Sequence, residues 1–385
     1  MKCMFQSTIC VLLLGLAVLP AHAAFKSLYV FGDSLSATAD PSAPGGQYFY
    51  GQRWSNGRVW VEVLAQRQGL TYNAANNNSY WDHNSAISVT DIKHFTAPPD
   101  VANDLFIVWV CNADTFDAAL ASDNSSQWLA AINQSQTNHL QIITNLYAKG
   151  VRSLILPNAV DLSEIPAYNT GSKGSTLHTE CVAYNVAFSN TIKQARVLCP
   201  GLTIYALDFA TLLNNVLTNA ASYGLTNALS AKGFSIDAYS DPALTTLTLT
   251  NAGTNFIFWD KQDPSAEFHA VIADVVQQSI SPVQIAGITA FNGSNRLDVV
   301  NYPAGLGGFV ENTTNNLTQT SWTALQNITS TNTAQSFFVL TPAATNTASP
   351  IVPAFSGGLP EPGGAVVVIA LDFYRLHFPF AWNWP

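Results

Sequence analysis

The sequence predicts an α/β fold, a parallel sheet with helices on both faces, followed by a small β-sandwich. Three observations carry this. Up to about residue 280, continuous apolar runs such as 105–110 (LFIVWV) alternate with helical stretches, the pattern of central strands joined by crossover helices. The run 28–31 (LYVF) ends at Gly32 and is followed at once by Asp33 and Ser34. A turn there lifts a hydroxyl out at the carboxyl end of a strand, where open α/β sheets place their ligands. Near Pro282 the composition changes: Lys disappears, acidic residues become scarce, and Asn, Thr, Val and Ala dominate in short runs, as expected of short strands split by polar turns.

Residues 1–23 read as a signal peptide. Lys2 supplies a basic start, residues 9–19 an apolar core, and Ala21-His22-Ala23 a cleavage site. The apolar stretch is shorter than a membrane span requires. The mature chain is therefore expected to be secreted or periplasmic, with no integral membrane segment. The net charge of the full sequence, -9 with only 15 Lys and Arg, excludes nucleic acid and anionic membranes as expected partners. Two domains follow from length and composition, at 24–281 and 283–385, and a monomer is expected.

The elements follow in order. After Ser34 comes a polar loop with Pro41, Pro44, Gly45 and Gly46, then an aromatic stretch from Tyr48 to Trp54 suited to lining a pocket. Ser55-Asn56-Gly57 leads into a helix over 58–65 begun by a capping residue. Residues 71–100 are Asn-rich and read as one long irregular loop. The central strand at 105–110 ends at Cys111-Asn112-Ala113-Asp114. Then come a helix near 127–148, a strand at 153–156, a helix near 177–197, a strand at 203–207 and a helix near 209–219. Residues 224–255 read as an insertion with small strands, and 256–260 as a run before a last helix starting near Pro264. In the C-terminal part, strands are expected at 296–301, 308–311, 335–340, 365–371 and 373–378. The Asn/Thr-rich cluster 312–333 belongs to this folded module because apolar runs flank it.

Three cysteines lie beyond the leader, Cys111, Cys181 and Cys199. The last two bracket a helical segment, and a rise of about 1.5 Å per residue separates its ends by over 20 Å. A disulfide needs Cα atoms within roughly 7 Å, so these two are not expected to pair. No metal-ligand spacing, phosphate loop or dinucleotide fingerprint occurs, so no metal or cofactor is expected.

Ser34 invites two readings. The hydroxyl can act as a nucleophile if a base reaches it, or Asp33 or Ser34 simply caps a following helix. Four blocks in order favour chemistry: Gly32-Asp33-Ser34-Leu35, Ser55-Asn56-Gly57-Arg58-Val59-Trp60, Tyr184-Asn185 with Asp208-Phe209 and Tyr223-Gly224, and Trp259-Asp260 before Pro264. Together they resemble the SGNH/GDSL hydrolase family, in particular its secreted esterases and lipases related to thermolabile haemolysin. The likeness covers about residues 25–280. It implies a flavodoxin-like α/β/α three-layer sandwich with Ser34 as nucleophile. The backbone N–H groups of Ser34 and Gly57 would be two oxyanion-hole donors.

Two blocks depart from the family pattern. The family's third oxyanion donor is an asparagine in Gly-x-Asn-Asp. Aligned on Asp114, that glycine is Cys111 and that asparagine is Ala113, with Asn112 one place earlier. A one-residue bulge would bring Asn112 into the hole. The family's Asp-x-x-His-Pro reads Asp260-Lys261-Gln262-Asp263-Pro264, so Asp263 stands at the position of the general base. Asp260, which would orient a histidine, is retained. His269, six residues beyond Asp263, is expected to be structural, and His83 and His94 lie in the long loop. Two carboxylates side by side can raise one another's pKa, and a carboxylate base would be expected to favour acidic pH.

The implied function is hydrolysis of acyl or acetyl esters of lipids or glycans by Ser34 with Asp260 and Asp263. The alternatives are an inactive SGNH-fold protein that binds a carbohydrate or acyl ligand, and an adhesive protein whose C-terminal module does the work.

Overall fold

In the computed structural model, the structure describes residues 25–291, 294–302, 307–313, 322–329, 331, 334–340, 368–369 and 372–377. The signal-peptide reading of 1–23 lies outside these residues.

The first part runs β1 (Leu28–Gly32), α1 (Trp60–Arg67), β2 (Asn77–Ser79), α2 (Ser85–His94), β3 (Leu105–Trp109), α3 (Cys111–Ala121), α4 (Ser125–Ala148), β4 (Ser153–Pro157), α5 (Gly174–Leu198), β5 (Thr203–Leu207), α6 (Phe209–Thr218) and α7 (Ala266–Ile280). The five strands form one sheet in the order β2-β1-β3-β4-β5, and every pairing is parallel. β3 is buried along its whole length, which is why its sequence is continuously apolar. The chain reverses direction across the sheet between β1 and β3. Such a switch point opens a crevice beyond the carboxyl ends of the strands, and Ser34 and Cys111-Asn112 leave the sheet on either side of it.

Helices cover both faces. α1 packs along α7, and α4 packs against α2 and α5. A buried ion pair, Arg67 Nε to Asp274 Oδ1 at 2.7 Å, ties α1 to α7. Trp60, Trp109 and Phe209 meet edge to face where α1, β3 and α6 converge.

Several elements differ from expectation. The stretch 71–100 contains β2 and α2, because Asn84 caps a helix there by accepting the Ile87 N–H at 3.1 Å. α3, which has no side-chain cap to mark its start, begins directly after β3. The small strands expected in 224–255 are reduced to isolated bridges, Thr226 to Phe256 and Leu229 to Ser235, with a third from Phe258 to Pro264. α7 starts at Ala266 because the Ser265 hydroxyl caps it, accepting the Phe268 N–H at 3.2 Å. α5 is continuous, so Cys181, a third of the way along it, and Cys199, just past its end, are held apart, and Cys111, Cys181 and Cys199 are all free and buried.

Beyond α7, β6 (Gln284–Phe291), β7 (Ser294–Val300), β8 (Gly307–Thr313), β9 (Thr323–Thr329), β10 (Ala334–Leu340), β11 (Val368–Ile369) and β12 (Asp372–His377) make two sheets. Their orders are β10-β7-β6 and β11-β12-β8-β9, all antiparallel. One apolar cluster joins them, with Leu297, Val299 and Val339 from the first sheet and Val310, Ile328 and Tyr374 from the second. This is a small sandwich with a core of its own. β6 was not foreseen, and β9 arises inside the Asn/Thr-rich cluster.

Candidate active site

Ser34 opens a single helical turn, Ser34–Ser36, immediately after β1. Asp33 caps that turn, its Oδ1 accepting the Leu35 N–H at 3.1 Å. Capping therefore falls to Asp33 and leaves the next side chain free for another partner. Ser34 is half-buried, and its Oγ donates to Asp263 Oδ1 at 2.8 Å. These residues are far apart in the chain, and the fold brings them within hydrogen-bond reach.

The loop carrying Asp263 is fixed from several sides. Asp263 O accepts the Trp259 N–H at 2.9 Å and Ile257 O accepts the Ser265 N–H at 3.1 Å, closing a narrow reversal. Asp260 Oδ1 accepts the backbone N–H groups of Gln262 at 2.9 Å and Asp263 at 2.8 Å. Asp260 thus shapes the turn that presents Asp263. Trp259 Nε1 donates to Tyr48 O at 2.8 Å, anchoring the turn to the aromatic stretch.

The Ser-Asn-Gly block locks this loop to the sheet. Ser55 Oγ donates to Pro264 O at 2.9 Å, and Asn56 Oδ1 accepts the Ala266 N–H at 2.8 Å. Neither residue caps α1, as had been expected. That helix begins after Val59, whose N–H is accepted by Glu62 Oε2 at 3.0 Å. Gly57 lies so close to the start of α7 that a Cβ on it would come 2.7 Å from the Ala266 Cβ. Among the described residues, the backbone N–H groups of Ser34 and Gly57 meet no acceptor.

Asn112 is the second residue of α3 and is buried. β3 stays in register with both β1 and β4, so no bulge precedes it. Its Oδ1 accepts the Val160 N–H at 3.0 Å, while its Nδ2 is buried without a well-formed partner. The Asn112 amide opposes the upward shift of the Asp33 carboxyl, and its bond from Val160 ties the start of α3 to the turn after β4. Asp114 makes its hydrogen bonds away from the Ser34–Asp263 pair, although its charge adds to the upward shift of Asp33. Its carboxylate accepts the Ser135 hydroxyl at 2.6 Å and the Tyr184 hydroxyl at 3.1 Å, tying α3 to α4 and α5.

Three carboxyl groups give the site its electrostatics. Burial, then the charge of Asp260, pushes Asp263 well above the ordinary carboxyl range; Ser34 pulls the other way. Burial raises Asp260 to about 6, against the pull of the Gln262 and Asp263 amides. Asp33 is raised to about 7, again by burial, opposed by the Leu35 amide and Asn112. Burial and the charge of Asp260 thus oppose ionisation of Asp263, which becomes easier as pH rises. Asp33 Oδ2 and Asp263 Oδ2 are buried with no partner among the described residues.

No histidine among the described residues is hydrogen-bonded to Ser34, Asp260 or Asp263. His269 is buried within α7 and held neutral, its pKa lowered to about 3 by burial. His83 is half-buried with its Nδ1 3.7 Å from Asp91, and His94 is exposed at the end of α2. The sequence had not singled out His139, which sits in the Asp114 network with Ser135. Among the described residues no group of His, Cys, Asp and Glu is arranged to hold a metal. No helix there is long and apolar enough to cross a membrane.

Comparison with known proteins bears on the same region. A stretch of 142 residues is 30% identical to a GDSL esterase/lipase of Arabidopsis thaliana, covering 34% of this chain and 40% of that protein. An α/β hydrolase enzyme from the metagenome of Lake Arreo, Spain, aligns at a TM-score of 0.40 with 13% identity, over 68% of this chain and 97% of its own. The acetylxylan esterase of Geobacillus stearothermophilus aligns at 0.39 with 13% identity, over 67% and 95%. Residues 28–276 match the family described as GDSL-like Lipase/Acylhydrolase, a span that holds Ser34, Gly57, Asn112, Asp260 and Asp263, and the chain belongs to that family.

Proposed function

We propose that the protein is a secreted ester hydrolase in which Ser34 is the nucleophile and Asp263 its base. The observation that carries this is the 2.8 Å hydrogen bond from Ser34 Oγ to Asp263 Oδ1, made in a crevice where a serine has no imidazole to serve it. In the reaction, the Ser34 oxygen forms a bond to the ester carbonyl carbon as its proton passes to ionised Asp263. The carbonyl pair moves onto oxygen, facing the N–H groups of Ser34 and Gly57. Collapse of this intermediate breaks the ester C–O bond, and the alcohol leaves with the proton from Asp263. Water then attacks the acyl-Ser34 ester, gives its proton to Asp263, and the acid departs as Ser34 is restored. Donors aimed at the developing oxyanion are each worth roughly 3 to 4 kcal/mol. Asp260 positions Asp263 through its backbone and opposes its ionisation, and Asn112 holds the adjoining turn. The substrates are small esters of lipids or glycans, and no cofactor is used.

A second reading, an inactive protein that binds an acyl or sugar ligand, draws on one observation. The Asp263 carboxyl is pushed well above its ordinary range, and a base that keeps its proton is a poor one. An esterase assay across pH with wild type, Ser34→Ala and Asp263→Asn separates the two. Hydrolysis that grows with pH and vanishes in both variants supports the enzyme. Activity absent at every pH, or unchanged in Ser34→Ala, refutes it.

A further inference from the structure

The insertion between α6 and α7 lies alongside the turn that carries the base. Ala238 N–H donates to Phe258 O at 3.1 Å and Tyr239 N–H to Trp259 O at 2.9 Å, while Ile257 N–H reaches back to Thr226 O at 3.3 Å. Ala238 and Trp259 are both fully buried, in a small apolar cluster with Phe49 and Phe256. Gly253 closes the insertion over this cluster at a φ of 82°, where a Cβ would come 2.8 Å from the Ala238 Cβ. One acid of the segment has no part in the reaction described so far. Asp237 is 3% exposed, and its Oδ1 accepts the Ser240 N–H at 2.7 Å. That bond folds 237–240 into a tight turn and fixes the carboxyl group one residue before the two backbone pairings, beside Asp260. Burial is the first cause of the upward shift of Asp260, and the charge of Asp237 adds to it.

We infer that Asp237 is a positioning residue for the reaction, acting on Asp263 through Asp260 and setting the pH range in which Ser34 is served by a base. The inference rests on the hydrolase reading above and adds to it a residue that is not bonded to Ser34. Asp260 holds Asp263 by accepting its N–H, so a charge that bears on Asp260 bears on the base. The acids form a line. Asp237 faces Asp260, Asp260 faces Asp263, and Asp33 faces Asp263 from the end of β1. Lys261, in the same turn, is exposed, and among the described residues no Lys, Arg or His is hydrogen-bonded to Asp237, Asp260 or Asp263. Each negative charge in such a line makes the next ionisation harder. Removing the one at the far end eases every step, so hydrolysis should set in at lower pH. Asn or Ser at 237 still offers an oxygen to the Ser240 N–H, so the turn survives the loss of charge.

The test compares wild type, Asp237→Asn and Asp237→Ser with Asp241→Asn, a control at the next acid of the segment, whose Oδ1 accepts the Ala243 N–H at 2.9 Å. kcat/KM for p-nitrophenyl acetate is followed from about pH 5 to about pH 9, and Tm over the same range. The rising limb should move down by about half a pH unit or more in either folded variant at 237, while Asp241→Asn overlays wild type. A limb that stays in place, or moves no further than in the control, overturns the inference and leaves Ser34-dependent hydrolysis standing. If wild type hydrolyses nothing, the melting series decides. Asp260 stands at about 6 in the folded chain against an ordinary 3.8. The stability that goes with its proton is complete below the unfolded value and is lost as pH rises through about 6. Neutralising Asp237 should shrink that loss and raise Tm relative to wild type on the alkaline side. Such a rise, absent in Asp241→Asn, supports the coupling although the hydrolase reading has failed. Parallel Tm curves for all four chains overturn it.

Discussion

Asn56 Oδ1 accepts the Ala266 N–H at 2.8 Å while its Nδ2 donates to Leu249 O at 3.2 Å. A loop from the front of the chain therefore caps the last helix of the α/β part and fixes the approach of Asp263 to Ser34. The oxyanion block and the base loop are one mechanical unit.

Gly57→Ala tests this unit. A Cβ would sit 2.7 Å from the Ala266 Cβ, so α7 and the Asp263 loop must yield. Ser34-dependent kcat/KM should fall at least tenfold, since about 1 Å of misplacement can cost 10²-fold. Thermal melting should drop far less than activity. Asn56→Ala removes the cap as well and should destabilise by about 1 kcal/mol. If Gly57→Ala retains full activity, the two segments are not coupled in this way.

Asp33→Asn has a signed pH consequence. The folded pKa of about 7 stands above the ordinary 3.8. Its stabilising contribution is therefore complete below the unfolded value and is lost as pH rises through about 7. The amide can keep the cap on Leu35 without charge. Melting temperature should rise relative to wild type on the alkaline side and differ little in acid. Asp33 also helps hold Asp263 up, so the rising limb of the activity profile should move to lower pH. Identical melting curves for variant and wild type in alkali would count against a buried Asp33 charge.

Asp263→His places the family's imidazole beside Ser34, with Asp260 still in place to orient it. A well-placed general base contributes roughly 10²- to 10⁴-fold, and esterase activity near neutrality should increase. Steady-state kinetics on a short acyl ester decides the matter. A loss of Ser34-dependent activity would instead identify the native carboxylate as the better base in this setting.

The sequence made the sheet legible because central strands such as β3 are apolar on both faces, and β5 was foreseen residue for residue. It made Ser34 and Asp263 legible as family positions, although nothing local announced that they would touch. Other parts escaped for physical reasons. β2 is Asn77-Asn78-Ser79, too short and polar to signal a strand, and is held by pairing with β1. α3 starts at Cys111 with no side-chain cap, so nothing in the sequence marks its beginning. Ser55 and Asn56 resembled the start of α1, yet their partners lie at Pro264 and Ala266. A cap that serves a helix some two hundred residues away has no local trace.

We propose that 24–281 and 283–385 fold independently. The main core ends at Ile280, and the second core, built from residues between Ile285 and Tyr374, shares no buried residue with it. A chain ending at Ser281 should be soluble, melt cooperatively and keep the hydrolytic activity of the whole protein. Aggregation or a broad, non-cooperative melt of that fragment would place the boundary elsewhere.

The three unpaired thiols set where this protein can be made. Cys111 and Cys181 are buried, with burial pushing the first well above the ordinary thiol range and the second to about 12. Neither is present as the thiolate that oxidants and alkylating agents attack. Among the described residues no cross-link holds the chain, so the fold of those residues does not rest on a disulfide. Refolding from denaturant should proceed equally with or without reductant, and the same native state is open to it in a reducing cytosol or an oxidising exterior.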